Sequence, residues 1–193
     1  MSGPVEMEKV TLRRAVTRRR RERSARDREL AAEAIALHAA GLPALISARR
    51  VAAYLSIPTE PGTGPLLQWW ADRGVEVLLP VSLPDRTMDW VQASGGAPVP
   101  GGLGVPEPQG PRLGAGALSG CDLAVVPALA VDHAGHRLGR GAGYYDRALA
   151  GFPGLVCALV FADELLPAVP HAPHDHPVDL VLTPAGPFRP ERG

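Results

Sequence analysis

The sequence predicts an α/β protein, a three-layer open and mostly parallel sheet with helices on both faces and an N-terminal helical extension. Residues 49–81 run as a β-like segment, a short helical segment and a second apolar β-like segment, the succession that builds a parallel sheet. Residues 121–131 (CDLAVVPALAV), 154–161 (GLVCALVF) and 179–182 (DLVL) are too evenly apolar for a half-exposed strand and read as strands buried on both faces. Residues 7–40 contain no Gly or Pro and are rich in Ala and Arg, which makes a helical start.

Taken in order, that start is one long helix or two with a bend near Ser24, ended by Gly41 and Pro43. The run 49–57 (RRVAAYLSI) stops at the loop PTEPGTG, residues 65–72 (PLLQWWAD) form a helix closed by Gly74, and 75–81 (VEVLLPV) follow as a strand. Residues 88–92 (MDWVQ) form a short edge strand, and 94–120 are dense in Gly and Pro and read as a long functional loop. The strand 121–131 leads through a glycine-rich turn to a helix starting near Tyr144, and 154–161 and 179–182 complete the sheet. All of this fits one domain over residues 1–193, with 1–40 as a helical segment packing on it.

Composition removes several function classes. Hydrophobic residues at 46% and charged residues at 21% suit an ordinary folded chain. No stretch approaches the length of a membrane span and no apolar leader follows the first methionine, so a cytoplasmic location with no membrane partner is expected. Cys121 and Cys157 sit in apolar runs and read as buried, reduced thiols. Twenty Lys and Arg balance twenty Asp and Glu, but residues 1–30 hold ten basic against five acidic side chains. Glu22, Asp27 and Glu29 interleave with those arginines as on a solvated helix, so a nucleic-acid arm or transit peptide is not the expected reading.

Chemistry concentrates in residues 126–149, VPALAVDHAGHRLGRGAGYYDRAL. Gly139, Gly141 and Gly143 carry no Cβ, so the backbone can approach an anion and aim N–H groups at it, with Arg137 and Arg140 adding full charges. A phosphate is the anion such a turn suits. The pattern is neither GxxxxGK[ST] nor GxGxxG and is weak evidence alone.

The segment VPALAVD followed by RLGRGAGYYDR resembles the signature of the 5-formyltetrahydrofolate cyclo-ligase family. Residues 9–13 (KVTLR), 104–108 (GVPEP) and 174–179 (HDHPVD) are similar to three further family motifs in the same order, so the resemblance runs from about Lys9 to about Thr183. It implies ATP- and Mg2+-dependent cyclisation of 5-formyltetrahydrofolate, with or without added glutamates, to 5,10-methenyltetrahydrofolate. The formyl oxygen is phosphorylated on the way, and ADP and phosphate are released. A non-catalytic folate- or nucleotide-binding module is the alternative. A monomer is expected.

By the resemblance, Lys9, Arg13 and residues Arg137, Leu138, Gly139, Arg140, Gly141, Ala142, Gly143, Tyr144 and Tyr145 are nucleotide contacts. Asp146 and Asp175 are magnesium ligands. Ile57, Glu60, Glu107, Arg140 and Tyr144 border the folate, with Arg140 and Tyr144 at the transferring phosphoryl group, where positioning and charge compensation carry the chemistry. Duller alternatives are a packing role for Tyr144 and Tyr145, a solvated role for Lys9 and Arg13, and a helix-dipole role for Asp146. The chain departs from the family at Gly62, where an acidic folate contact is usual and is here either missing or taken over by Glu60, at Leu103, where an aromatic is common, and at Ala142 in the phosphate loop. The cluster His171, His174, Asp175 and His176 invites a zinc reading, but adjacent side chains on an extended segment point apart.

Overall fold

The Gly- and Pro-free start forms two helices, α1 (Pro4–Glu22) and α2 (Ala25–Ala39), in the computed structural model, which describes residues 3–101 and 104–191. Pro4 occupies the first helical turn, where its missing N–H costs nothing. The bend falls at Ser24, whose Oγ accepts the Asp27 N–H at 3.0 Å and so caps α2 while Arg23 is extended.

Five parallel strands make the centre of the main sheet: β1 (Arg50–Ala52), β2 (Glu76–Ser82), β6 (Leu123–Pro127), β9 (Leu155–Leu159) and β11 (Leu180–Thr183). Antiparallel β3 (Met88–Gln92) and β12 (Gly186–Phe188) close its two edges, in the order β12-β11-β9-β6-β1-β2-β3. Alternate residues serve two cores, as expected of strands covered on both sides. Cys157 and Leu159 of β9 face Ile35 and Ala39 of α2, Leu45 of α3 (Pro43–Ser47), and Leu66 and Trp70 of α4 (Gly64–Ala71). Val156 and Ala158 face the other way, toward Leu149 and the tyrosines of α5 (Tyr144–Ala148) and toward Leu118 of a 3-10 helix (Ala115–Gly120). Both cysteines are buried thiols, and burial pushes Cys121 up to about 11.

The expected continuous strand 121–131 is corrected by the structure. Pro127 is the last residue of β6 in register with β9; it brings no N–H to extend the ladder, and the chain leaves the main sheet there. It then forms β7 (Ala130–Asp132), which pairs with β8 (Arg137–Leu138) and β10 (Leu165–Leu166) in a separate three-stranded sheet. Residues 49–57 likewise contribute only three residues to the sheet, and the stretch read as loop holds a small hairpin of β4 (Val99–Pro100) and β5 (Pro106–Glu107). Helix α1 covers the small sheet through Leu12 and Val16 against Leu129, Ala130 and Leu138, whereas α2 belongs to the main sheet.

Strand order reverses between β1 and β6, since β2 lies outside β1 and the later strands all lie beyond β6. In open α/β sheets such a reversal leaves a crevice at the carboxyl ends of the strands. One buried ion pair fixes α1 across that end. Arg20 gives Nε to Glu164 Oε1 and Nη2 to Glu164 Oε2, each at 2.7 Å, and Nη2 also reaches the Ala128 carbonyl at 2.6 Å. Burial would lower the arginine's pKa, but the hydrogen bonds and charge of Glu164 outweigh it and hold it above the usual value. Removing one partner leaves a buried unpaired charge, so Arg20→Met is expected to cost about 3–5 kcal/mol in urea unfolding. Arg20→Met with Glu164→Leu should cost clearly less than the sum of the single changes; simple additivity would refute coupling.

Candidate active site

A cavity of about 320 Å³ lies at the switch point. Its walls are Tyr54, Leu55 and Glu60 after β1, Pro80 and Ser82 at the end of β2, Met88 of β3, residues 105–107, Pro127, Ala128 and Leu129 after β6, and Arg137 with residues 139–146. Four segments distant in sequence therefore meet where the topology leaves a gap.

The glycine-rich turn forms one wall. Gly141 and Gly143 have φ of +98° and +70°, a region that disfavours any residue with a Cβ. Arg13 reaches in from α1 and donates Nε to the Gly139 carbonyl at 3.0 Å, while its Nη1 pairs with Glu6 at 2.7 Å. Arg137 is buried, donating Nη2 to Asp146 Oδ1 at 2.6 Å and Nη1 to the Pro127 carbonyl at 3.3 Å. Arg140 is exposed on the cavity wall and makes no hydrogen bond or ion pair among the described residues, though its charge acts on the Glu60 carboxyl. Leu138 differs: its side chain is buried beneath α1 with Val16, which leaves only its backbone for a contact.

The N–H of His176, the residue after Asp175, lies 3.3 Å from Asp146 Oδ1. Asp175 Oδ2 accepts from Lys9 Nζ at 2.5 Å and from the Ala172 N–H at 2.7 Å. Burial would raise the Asp175 carboxyl, but the Lys9 ammonium and that N–H together hold it below the usual range. Both Asp146 bonds fall on Oδ1, and Asp175 Oδ1 has only the exposed His174 ring, 3.8 Å away. Each carboxylate thus keeps one hard oxygen in reserve. That donor set suits Mg2+, which takes one or two carboxylates, retains waters and uses phosphate oxygens for the rest.

The opposite wall carries the second acid. Glu60 is buried and accepts the Ile57 N–H at Oε2, 3.0 Å away; burial raises its carboxyl, against the opposing pull of that N–H and of Arg20 and Arg140. Gly62 cannot supply the family's acid, because a Cβ there would lie 2.9 Å from Ala32 Cβ of α2, away from the cavity. Ile57 is not among the lining residues and enters through its backbone N–H alone. Glu107 lines the cavity and accepts the Ser82 N–H at 3.2 Å, Tyr144 donates to the Leu83 carbonyl at 2.8 Å, and Leu103 lies outside the described residues.

The match to known proteins agrees with this geometry. The model of the 5-formyltetrahydrofolate cyclo-ligase family matches residues 5–184. The chain belongs to that family. It is 42% identical to the 5-formyltetrahydrofolate cyclo-ligase of Mycolicibacterium smegmatis over 183 residues, covering 91% of this chain and 93% of that one. The 5,10-methenyltetrahydrofolate synthetase of Aquifex aeolicus superposes with a TM-score of 0.80 at 29% identity, over 96% of this chain and 94% of that chain. The Mycoplasma pneumoniae synthetase shares the fold, with a TM-score of 0.72 at 17% identity over 91% and 98% of the two chains. Membership makes the chain a ligase of folate chemistry. No helix among the described residues is long and apolar enough to cross a membrane.

Tyr54, Leu55, Met88 and Leu129 line the cavity although no sequence motif names them as site residues. Tyr54 lines the cavity and its hydroxyl is buried with no hydrogen-bond partner among the described residues; burial and the Glu60 charge raise its pKa well above that of a free phenol. No motif marks it, and only the strand order places the end of β1 beside the site. The histidine cluster does not converge on a metal either. His174 is exposed and His176 Nδ1 lies 2.9 Å from the Pro177 carbonyl, while His171 stacks on His136 with rings 3.4 Å apart and 5° from parallel. His171 instead groups with His136 and Asp132, one ligand atom of each lying within 4.8 Å of the others, apart from His174, Asp175 and His176.

Asp132 beneath that stack accepts the N–H groups of Ala134, His136 and Val169 at 3.0, 2.9 and 3.0 Å, and lies 3.0 Å from His136 Nδ1. Burial works against it, but these bonds hold its carboxyl below the usual value. An acid with a lowered folded pKa stabilises the fold above its unfolded pKa, about 4, and loses that contribution as pH falls through the folded value. The stability gap between wild type and Asp132→Asn should therefore be full at neutral pH and shrink as unfolding is measured at progressively lower pH below about 4. A gap that widens in acid would contradict the assignment.

Proposed function

We propose that the chain catalyses ATP- and Mg2+-dependent cyclisation of 5-formyltetrahydrofolate to 5,10-methenyltetrahydrofolate, with phosphorylation of the formyl oxygen and release of ADP and phosphate. The observation that carries the reading is one open cavity with an arginine-flanked glycine turn and Asp146 on one side and Glu60 on the other. When bound, ATP with its magnesium ion supplies the phosphoryl group that turns the formyl oxygen into a leaving group.

The chain's own residues supply position and charge. Lys9 and Arg13 bring α1 onto the outer side of the turn, and Gly141 and Gly143 let the backbone approach phosphate oxygens. Arg137 orients Asp146, and Asp146 and Asp175 present the oxygens for the metal. Arg140, unpaired at the wall, offsets charge that develops on the transferring group, and Tyr144 holds the turn against β2 through Leu83. Glu60 and Glu107 offer acceptors to the N–H groups of a pterin, and the Tyr54 hydroxyl is a further polar group on that wall. The apolar sides of Leu55, Met88 and Leu129 keep water from nitrogen 10 as it attacks.

Purified chain given 5-formyltetrahydrofolate, ATP and Mg2+ is expected to produce the near-ultraviolet absorbance of the methenyl product with stoichiometric ADP; folded protein that binds both ligands and releases no ADP would establish the binding-module alternative. Arg140→Ala should lower kcat/KM by roughly 100-fold with little change in melting temperature, because the exposed side chain makes no hydrogen bond or ion pair among the described residues. Asp146→Asn keeps an acceptor for Arg137 and should lower turnover by a similar factor while raising the Mg2+ concentration needed for half-maximal rate. Unchanged magnesium dependence would reject the metal assignment.

A further inference from the structure

His136 lies just before β8, and His171 opens the segment that leads to Asp175. Tertiary folding stacks the two rings, 3.4 Å apart and 5° from parallel, over the buried Asp132 at the end of β7. None of these three side chains lines the main cavity.

Acceptors fix the tautomer of both rings. His136 Nδ1 lies 3.0 Å from Asp132 Oδ2, and an ionised carboxylate can only accept, so that nitrogen carries the proton. His171 Nδ1 lies 3.2 Å from the Val169 carbonyl, which likewise can only accept. In the neutral rings each Nε2 therefore keeps a lone pair, and neither Nε2 has a hydrogen-bond partner among the described residues. Val169 aligns the pair, since its N–H goes to Asp132 Oδ2 at 3.0 Å while its carbonyl meets His171. With both Nδ1 edges turned toward Val169, both Nε2 edges face away from it on one side of the stack. His136 is half-buried and His171 exposed, so solvent and its ions reach that side.

An imidazole whose outer N–H is held by a carboxylate or a backbone carbonyl is the form in which histidine binds metals. Like atoms on rings 3.4 Å apart subtend about 110° at an ion held at the roughly 2.0–2.1 Å of a zinc–nitrogen bond, near the tetrahedral angle. The in-plane lone pairs must tilt toward each other to meet there, and exposed His171 is the ring with room to turn. Asp132 is not itself a ligand. The N–H groups of Ala134 and His136 occupy its Oδ1, and the Val169 N–H and the His136 ring occupy its Oδ2, which uses its lone pairs and leaves it to orient His136.

We propose that His136 and His171 form a two-imidazole site for a divalent cation of the zinc, nickel and copper group. The ion is bound through both Nε2 atoms, with water completing its shell and Asp132 holding His136 from behind. Imidazole suits those cations, whereas Mg2+ prefers oxygen, so the site differs in chemistry from the carboxylates of Asp146 and Asp175. A bound ion would tie the β7–β8 hairpin to the segment that carries Asp175. The assignment does not depend on the cyclo-ligase reading.

The experiment titrates Zn2+ into the full chain by calorimetry, with Mg2+ in excess to occupy the carboxylates, and follows the histidine ring nitrogens by NMR. One Zn2+ should bind per chain, shifting the Nε2 resonances of His136 and His171 while both Nδ1 protons persist. His171→Asn changes an exposed side chain and should leave the zinc-free melting temperature within a degree or so, yet weaken zinc binding by about tenfold or more. His136→Gln should weaken it as much, and His174→Asn should not change it. Zn2+ should raise the melting temperature of wild type and not that of His171→Asn. Absence of zinc binding by wild type, or an affinity that survives both His136→Gln and His171→Asn, overturns the assignment. So does an affinity lost in Asp146→Asn or His174→Asn instead, since the ion would then sit at the carboxylates or on the outer histidine.

Discussion

The architecture of the site depends on the buried pair of Arg20 and Glu164. Lys9, Arg13 and Arg20 are spaced by four and seven residues, so they project from one face of α1. Anchoring Arg20 to Glu164 and to the Ala128 carbonyl therefore aims the other two cations along the carboxyl ends of the strands, with Lys9 about 16 Å away at the helical rise. Lys9 then meets Asp175 and Arg13 meets the glycine turn. Such a pair adds little net stability over apolar packing, and its value is in the one arrangement it permits. An α1 rotated by a quarter turn would bury neither charge in partnership and would carry both cations off the site.

The second constraint is the departure of the chain from the main sheet at Pro127. Had residues 121–131 continued as one strand, the glycine turn would stand above the sheet edge. Splitting off β7 and β8 swings the turn back over the switch point, where Arg137 reaches both Pro127 and Asp146. Asp132, with backbone N–H groups on both of its oxygens, holds that small sheet to the segment leading to Asp175. The cavity is thus a joint between a rigid parallel sheet and a small polar sheet, and charged groups converge on it from both.

Much was legible in the sequence because the evidence was local. The helix break at Ser24, the strands at 75–81, 154–161 and 179–182 and the edge strand at 88–92 follow from periodicity and capping, and the glycine turn follows from residue type. The short elements α3, β8, β10 and β12 were missed, since two to five residues are too few to show a period. By sequence the acidic contact at position 62 is either missing or taken over by Glu60, and only packing against Ala32 shows why position 62 faces away. Tyr54 carried no signal at all.

The chain's own residues determined the fold class, the family and the glycine-rich turn, because strand burial, helix caps and glycine spacing are properties of neighbours along the chain. Tertiary structure decided which charges are spent and which are free. Lys9 and Arg20 are engaged by Asp175 and Glu164, whereas Arg140 makes no hydrogen bond or ion pair among the described residues. An arginine looks the same in a sequence whether or not a carboxylate more than a hundred residues away is folded against it, and only the closed fold makes that distinction.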